Sequence, residues 1–139
     1  MIQAMMQQLL KAIATDLAPG QASAAVHAYL ASWKSGDSAA RAALFTDNAV
    51  LEDPVGAPPI EGKAALQAFW QRAEGPHSKF EPALQRLVVC GNEAMVEFMM
   101  RIDVTGAGSA TLRIVENFQF DASGKIRRLR AFWDEQSVS

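Results

Sequence analysis

Up to Ala73 the apolar side chains of this chain recur every three or four residues, and from Lys79 onward they fall into runs of strand length. Helices first and strands afterwards indicate an α+β fold, with the helices packed on one face of a mostly antiparallel sheet, rather than alternating βαβ units. The runs lie near 79–90, 93–104, 109–121 and 125–135. They are divided by Gly91-Asn92, Gly106-Ala107-Gly108 and Ser123-Gly124, so consecutive strands joined by short turns predict an antiparallel meander. In the helical half, Met5, Met6, Leu9, Leu10, Ile13 and Leu17 mark one apolar face, which Pro19-Gly20 is expected to stop. A second helix from near Gln21 carries Val26, Tyr29, Leu30 and Trp33 on one face and ends at Ser35-Gly36, which points Tyr29 inward. Asp37 or Ser38 can cap a short third helix running through Leu44 and Phe45. Residues 48–52 read as a strand broken by Asp53-Pro54, and three prolines and two glycines make 54–62 a rigid loop. Lys63 to Ala73, with Leu66, Phe69 and Trp70, is expected to be the last helix.

A chain of 139 residues is the length of one domain, and it can close a single core around a cavity. The expectation is one domain over 1–139, with 1–20 an added N-terminal helix and 21–137 the core. No internal repeat or linker interrupts it. A formal charge of -2 leaves no basic footprint for a polyanion, so nucleic acid is not an expected partner. Arg127, Arg128 and Arg130 are assigned to the solvent side of a late strand. The single cysteine, Cys90, ends an apolar run and is expected to be a small buried hydrophobe, which suits a reducing cytosol. The N-terminus has neither the pattern of a signal peptide nor a run long enough to cross a bilayer, so a cytoplasmic protein without a membrane anchor is expected. His27 and His77 have no metal-ligand spacing, and no glycine-rich loop follows a strand and opens a helix, so neither metal nor nucleotide cofactor is expected.

Side chains alternate across a strand, which places Leu112, Ile114, Glu116, Phe118 and Phe120 on one face of the third run. Glu116 therefore interrupts an apolar stripe. A carboxylate there must be paired, stand at a pocket mouth, or keep its proton because burial disfavours the charged form. Glu97 poses the same question more weakly, since Phe98 and Met100 can equally be the inward set. Asp53 before a proline is by itself ordinary turn chemistry, and a lone Tyr29 on a helix face is ordinarily a core residue.

The segment Leu51-Glu52-Asp53-Pro54-Val55-Gly56-Ala57-Pro58-Pro59-Ile60-Glu61-Gly62 resembles the bacterial ketosteroid isomerases, with their E-D-P-x-G loop followed by P-P-I-x-G. The likeness runs from about Ala22 to Trp133. Tyr29 stands ahead of Asp53 at the family's spacing, and Phe120-Asp121-Ala122-Ser123-Gly124-Lys125-Ile126 matches its final hairpin. The resemblance implies a cone-shaped α+β barrel, shared with SnoaL-like cyclases, scytalone dehydratase and nuclear transport factor two, in which a curved sheet and helices enclose an apolar pocket. It also implies a homodimer, and catalysis without a cofactor on a small apolar ketone. By resemblance Asp53 is the base and Tyr29 the oxyanion donor, with Glu116 at the position of the family's protonated aspartic acid. Phe69, Trp70, Phe98, Phe118 and Trp133 are the rings expected to shape the substrate pocket.

Two departures stand out. Glu116 is one methylene longer than the family's aspartic acid, and Phe45 and Trp70 occupy positions where some members carry tyrosines that support the oxyanion tyrosine. Tyr29 is the only tyrosine in the chain. The expected activity is transposition of a carbon–carbon double bond from β,γ to α,β of a ketone. The alternatives are a SnoaL-like cyclase or hydratase acting on a polyketide or terpenoid-like ketone, and a non-catalytic binder of apolar ligands.

Overall fold

The structure, a computed structural model, describes residues 1–139. Its elements are α1 (Ile2–Leu10), α2 (Pro19–Ser35), α3 (Ser38–Ala42), β1 (Phe45–Glu52), β2 (Ile60–Glu61), α4 (Lys63–Ala73), β3 (Ser78–Cys90), β4 (Glu93–Val104), β5 (Gly108–Phe120), β6 (Ile126–Phe132) and a final 3-10 turn, Glu135–Ser137. The helices pack on a curved six-stranded sheet of order β2-β1-β6-β5-β4-β3, which stays open rather than closing into a ring. The meander β3 to β6 is antiparallel throughout, as its short turns demand. Beside it β1 pairs with β6 in parallel, Leu51 opposite Leu129 and Glu52 opposite Arg130. That pairing brings the end of β1 to the end of β6, which positions the site.

Pro19 starts a helix rather than stopping one. It occupies the first turn of α2 after Ala18, where its missing N–H costs nothing, and Gly36 in the left-handed conformation (φ 68°) ends that helix. The first helix stops at Leu10, so the expected continuous face from Met5 to Leu17 is divided. No residue of α1 is buried, whereas Leu17 is in the core. The third helix ends at Ala42, capped by the Asp37 carboxylate accepting from the Ala40 N–H, and Phe45 opens β1 instead of closing the helix. The C-terminal residues also join the sheet, with Ser139 and Thr111 exchanging backbone hydrogen bonds.

The inward residues of β4 and β5 alternate cleanly: Val96, Phe98 and Met100 on one strand, Ile114, Glu116, Phe118 and Phe120 on the next, all buried. Glu97 falls on the outer face and is exposed, as its neighbours require. Cys90 is also exposed, which corrects the expectation of a buried thiol. Alternation explains it, because Leu87 and Val89 pair with inward Val96 and Ala94 and are half-buried, so Cys90 falls on the opposite face beside Glu93. Arg128 and Arg130 lie on the outer face, where both meet the Glu52 carboxylate. No helix is long and apolar enough to cross a membrane.

Candidate active site

Between the helices and the inner face of the sheet lies an apolar cavity of about 160 Å³, and Tyr29, Asp53 and Glu116 all face it. Three elements deliver them. Tyr29 comes from the buried face of α2, Asp53 from the break that follows β1, and Glu116 from the inward row of β5. Glu52 and Asp53 are successive residues with opposite fates. At the end of β1, Glu52 turns outward and accepts from Arg128 Nε at 3.1 Å and from Arg130 Nε at 3.5 Å, a clamp on the β1–β6 pair. Asp53 then faces inward, and its loop is tied to β6 by the Val55 N–H donating to the Ala131 carbonyl at 2.8 Å.

The three polar groups sit among rings, and their electrostatics follow. Glu116 is 2% exposed, and its Oε1 has no hydrogen-bond partner within the protein. Burial pushes its pKa well above the ordinary carboxyl value, and the Asp53 charge adds to the push, so Glu116 is the acid that keeps its proton. Asp53 is only partly buried. Burial raises its pKa as well, but the Trp133 indole N–H donates to Asp53 Oδ1 at 2.8 Å and holds it down, favouring the carboxylate. Tyr29 is 3% exposed, and burial, with the Asp53 carboxylate adding to it, raises its phenol well above the usual tyrosine range, so it stays a donor. The pocket thus combines an ionisable base, a neutral acid and a neutral phenol in apolar surroundings, which can take a proton from a weak carbon acid and hydrogen-bond the negative oxygen that results.

Of the rings expected to shape the pocket, Phe69, Phe98 and Trp133 line it. Trp70 and Phe118 do not, and their placement corrects that expectation. Both are fully buried behind Tyr29, Phe118 edge-on to it at 5.2 Å between centroids and Trp70 tilted at 6.5 Å. Phe45 meets the same phenol edge-on at 6.1 Å, so Tyr29 is held by ring packing where hydroxyl partners are missing. Trp33 and Phe80, in contact with each other at 5.0 Å, complete the wall and were not singled out from the sequence. A signal for Trp33 was present, since it lies one helical turn beyond Tyr29 on the same face. Nothing local marked Phe80. No group of three or more His, Cys, Asp or Glu side chains is arranged to hold a metal ion.

A family profile described as a SnoaL-like domain matches residues 26–129. A steroid delta-isomerase of Nocardioides simplex is 36% identical over 110 residues, which span 79% of this chain and 87% of that protein. Among solved structures, an LEH-like epoxide hydrolase of M. tuberculosis superposes with a TM-score of 0.74 at 23% identity, covering 85% of this chain and 86% of its own, a likeness of fold. SalBIII, an epoxide hydrolase/cyclase-like enzyme of pyran ring formation in the polyether salinomycin, superposes with a TM-score of 0.74 at 26% identity, covering 86% and 95%.

Proposed function

This chain belongs to the SnoaL-like domain family, of the nuclear transport factor two-like fold, and on that premise we propose that it is a cofactor-independent isomerase that moves a carbon–carbon double bond from β,γ to α,β of a ketone. The observation that carries the reading is the pairing, in one apolar cavity, of a carboxyl held by an indole N–H with a second, buried carboxyl whose Oε1 no protein donor meets. The Asp53 carboxylate takes the proton from the carbon between the carbonyl and the double bond. The electron pair moves into the conjugated system, and charge collects on the ketone oxygen as a dienolate. The Tyr29 hydroxyl and the Glu116 acid donate hydrogen bonds to that oxygen, a role for which an acid kept neutral by an apolar site is suited. Asp53 then returns the same proton to the γ carbon, the electrons flow back from oxygen, and the conjugated ketone leaves with the base restored.

The identity to a steroid delta-isomerase supports a 3-oxosteroid-like substrate, with the reacting ring inside the cavity. At about 160 Å³ the cavity is below the ~300 Å³ of common ligand pockets, so the remaining rings of such a ligand extend beyond it. Val88, Met95 and Phe132, exposed on the outer sheet face, support association with a second copy of the chain, which light scattering tests. A second reading, a cyclase or hydratase acting on a polyketide or terpenoid-like ketone, is favoured by the unpartnered Oε1 of Glu116, which leaves its proton available for outright transfer to an oxygen.

The test follows the ultraviolet absorbance of a conjugated enone as purified protein acts on a β,γ-unsaturated 3-oxosteroid, with Asp53→Asn as the control. Turnover by the wild type, reduced by about 10²-fold or more in the variant while ligand still binds, is the expected result. Equal turnover in the variant removes Asp53 from the role of base. Binding without turnover in the wild type rejects steroid isomerisation in favour of the cyclase or hydratase reading or of a non-catalytic binder.

A further inference from the structure

Arg41 is fully buried and lies outside the lining of the pocket. Burying a guanidinium costs several kcal/mol unless its donors are met, and here they are. Its Nε donates to Ser32 Oγ at 2.9 Å, one terminal nitrogen donates to the Ser32 carbonyl at 2.9 Å, and the other is paired with the Glu74 carboxylate. These contacts reach from α3 to α2 and to the C-terminal end of α4. The planar face is used as well, with Arg41 Cζ 3.6 Å from the centroid of Trp33 and 5.2 Å from that of Trp70.

What the guanidinium grips on α2 is the turn that faces the cavity. Trp33 is a wall of the pocket, tilted against Tyr29 at 6.4 Å and against Phe80 at 5.0 Å. Ser32, which receives two of the Arg41 donors, donates its own hydroxyl to the Tyr29 carbonyl at 2.5 Å. From Arg41, then, one route runs through a stacked indole to the Tyr29 ring and another through Ser32 to the Tyr29 backbone. Trp70, the second ring under the guanidinium, is one of the rings that back Tyr29 where hydroxyl partners are missing. We propose that Arg41 is a positioning residue, its guanidinium fixing Trp33 and the turn of α2 that aims the Tyr29 hydroxyl into the pocket. It does not line the cavity and acts through those neighbours, while its charge, which a lysine would keep, also draws the Tyr29 phenol down. A lysine cannot substitute, because it lacks both the planar face and the fork that spans Ser32 and Glu74.

Tyr29 being the only tyrosine, growth on 3-fluorotyrosine places one fluorine reporter in the protein, on the ring at issue. The experiment compares wild type, Arg41→Lys and Ser32→Ala by the fluorine resonance, by thermal unfolding, and by kcat and KM for the enone-forming reaction. Only the kinetic readout rests on the isomerase reading. If the wild type forms no enone, that reading fails by itself and the resonance still decides the role of Arg41.

The expected result for Arg41→Lys is a shifted or broadened resonance and a fall in kcat of about tenfold, with KM changed less than about twofold, as a misaimed donor produces. Ser32→Ala, which leaves the guanidinium its carbonyl and Glu74 partners, is expected to move both readouts the same way by less, and it decides the matter alone if the lysine variant does not fold. A folded variant of lower thermal stability whose resonance and kcat match the wild type overturns the proposal, leaving Arg41 as a tie between helices.

Discussion

On the outer face of the sheet Glu52 meets two guanidiniums, whereas on the inner face Glu116 meets apolar side chains and Asp53 a single indole N–H. The hydrogen bond from Arg128 is the main reason that Glu52 titrates below the ordinary carboxyl range, and burial is the main reason that the two inner acids titrate above it. Glu52 and Asp53 are neighbours in sequence, so what separates them is the side of the sheet and not the stretch of chain. The outer carboxylate fixes β1 against β6 and stays charged. Dryness shifts the proton balance of the inner pair toward the protonated forms, as the proposed proton transfer requires of Glu116. Each side predicts its own response to substitution and to pH.

The largest expected effect after loss of Asp53 belongs to the inner face. Tyr29→Phe removes the phenolic donor and keeps the ring that packs on Phe45, Trp70 and Phe118, so stability should hold while kcat falls about 10²- to 10³-fold. Steady-state kinetics on the enone-forming substrate reads it, and an unchanged kcat would assign the oxygen charge wholly to Glu116. Next comes Trp133→Phe. Without the indole N–H nothing offsets the burial of Asp53, so its pKa rises further. The acid limb of the kcat/KM profile should move to higher pH, with a loss of about tenfold on the acid side. A limb that stays in place would mean that Asp53 is not the titrating base.

Much of this arrangement is legible in the sequence, and the reasons for the remainder are physical. The change of period at Lys79 and the alternation through Leu112, Ile114, Glu116 and Phe118 are local patterns, and local patterns specify which face a side chain takes. Depth is another matter. Phe69 and Trp70 are adjacent on α4, yet one lines the pocket and the other lies under Tyr29, because a helix position fixes direction and not how far the neighbouring layer reaches. Phe118 shares the face of Glu116 but lies two residues further along β5, where the Tyr29 ring already covers the sheet. The bond from Trp133 to Asp53 joins residues 80 apart through the parallel β1–β6 pair, and no local signal in Phe45–Glu52 names that partner. Pro19 failed as a stop signal because a proline that cannot continue one helix is equally suited to begin another.

Glu116→Gln sharpens the comparison further. The amide keeps a donor at the same length, so turnover should stay within about tenfold of the wild type if the working form of Glu116 is the neutral acid. Its stability effect has a definite sign. An unfolded Glu ionises in the ordinary range while folded Glu116 holds its proton to much higher pH, so between those limits the folded state binds more protons and wild-type stability falls as pH rises. The Gln variant escapes that loss, and its melting temperature should gain on the wild type from acid toward neutral pH. Melting curves that run parallel across that range would show that Glu116 is not held protonated.

Glu52→Gln tests the outer face with the smallest effect and the opposite sign. Because folded Glu52 titrates below the unfolded value, its contribution is present above the unfolded pKa and disappears as pH falls through the folded one. The wild type should therefore exceed this variant in melting temperature at neutral pH, by on the order of a few °C, and the two should converge in acid. The contribution stays modest because Arg128 is 41% exposed and water screens its charge. Asp121, also held below the ordinary range chiefly by the Ser123 hydroxyl, is common to both proteins and drops out of the difference. Convergence in acid for Glu52→Gln beside divergence toward neutral pH for Glu116→Gln would establish that the two faces hold their carboxylates in opposite states. If Glu52→Gln instead matched the wild type at every pH, the clamp would carry no stability, and the parallel pairing of β1 with β6 would rest on its backbone hydrogen bonds and the buried Leu51–Leu129 pair.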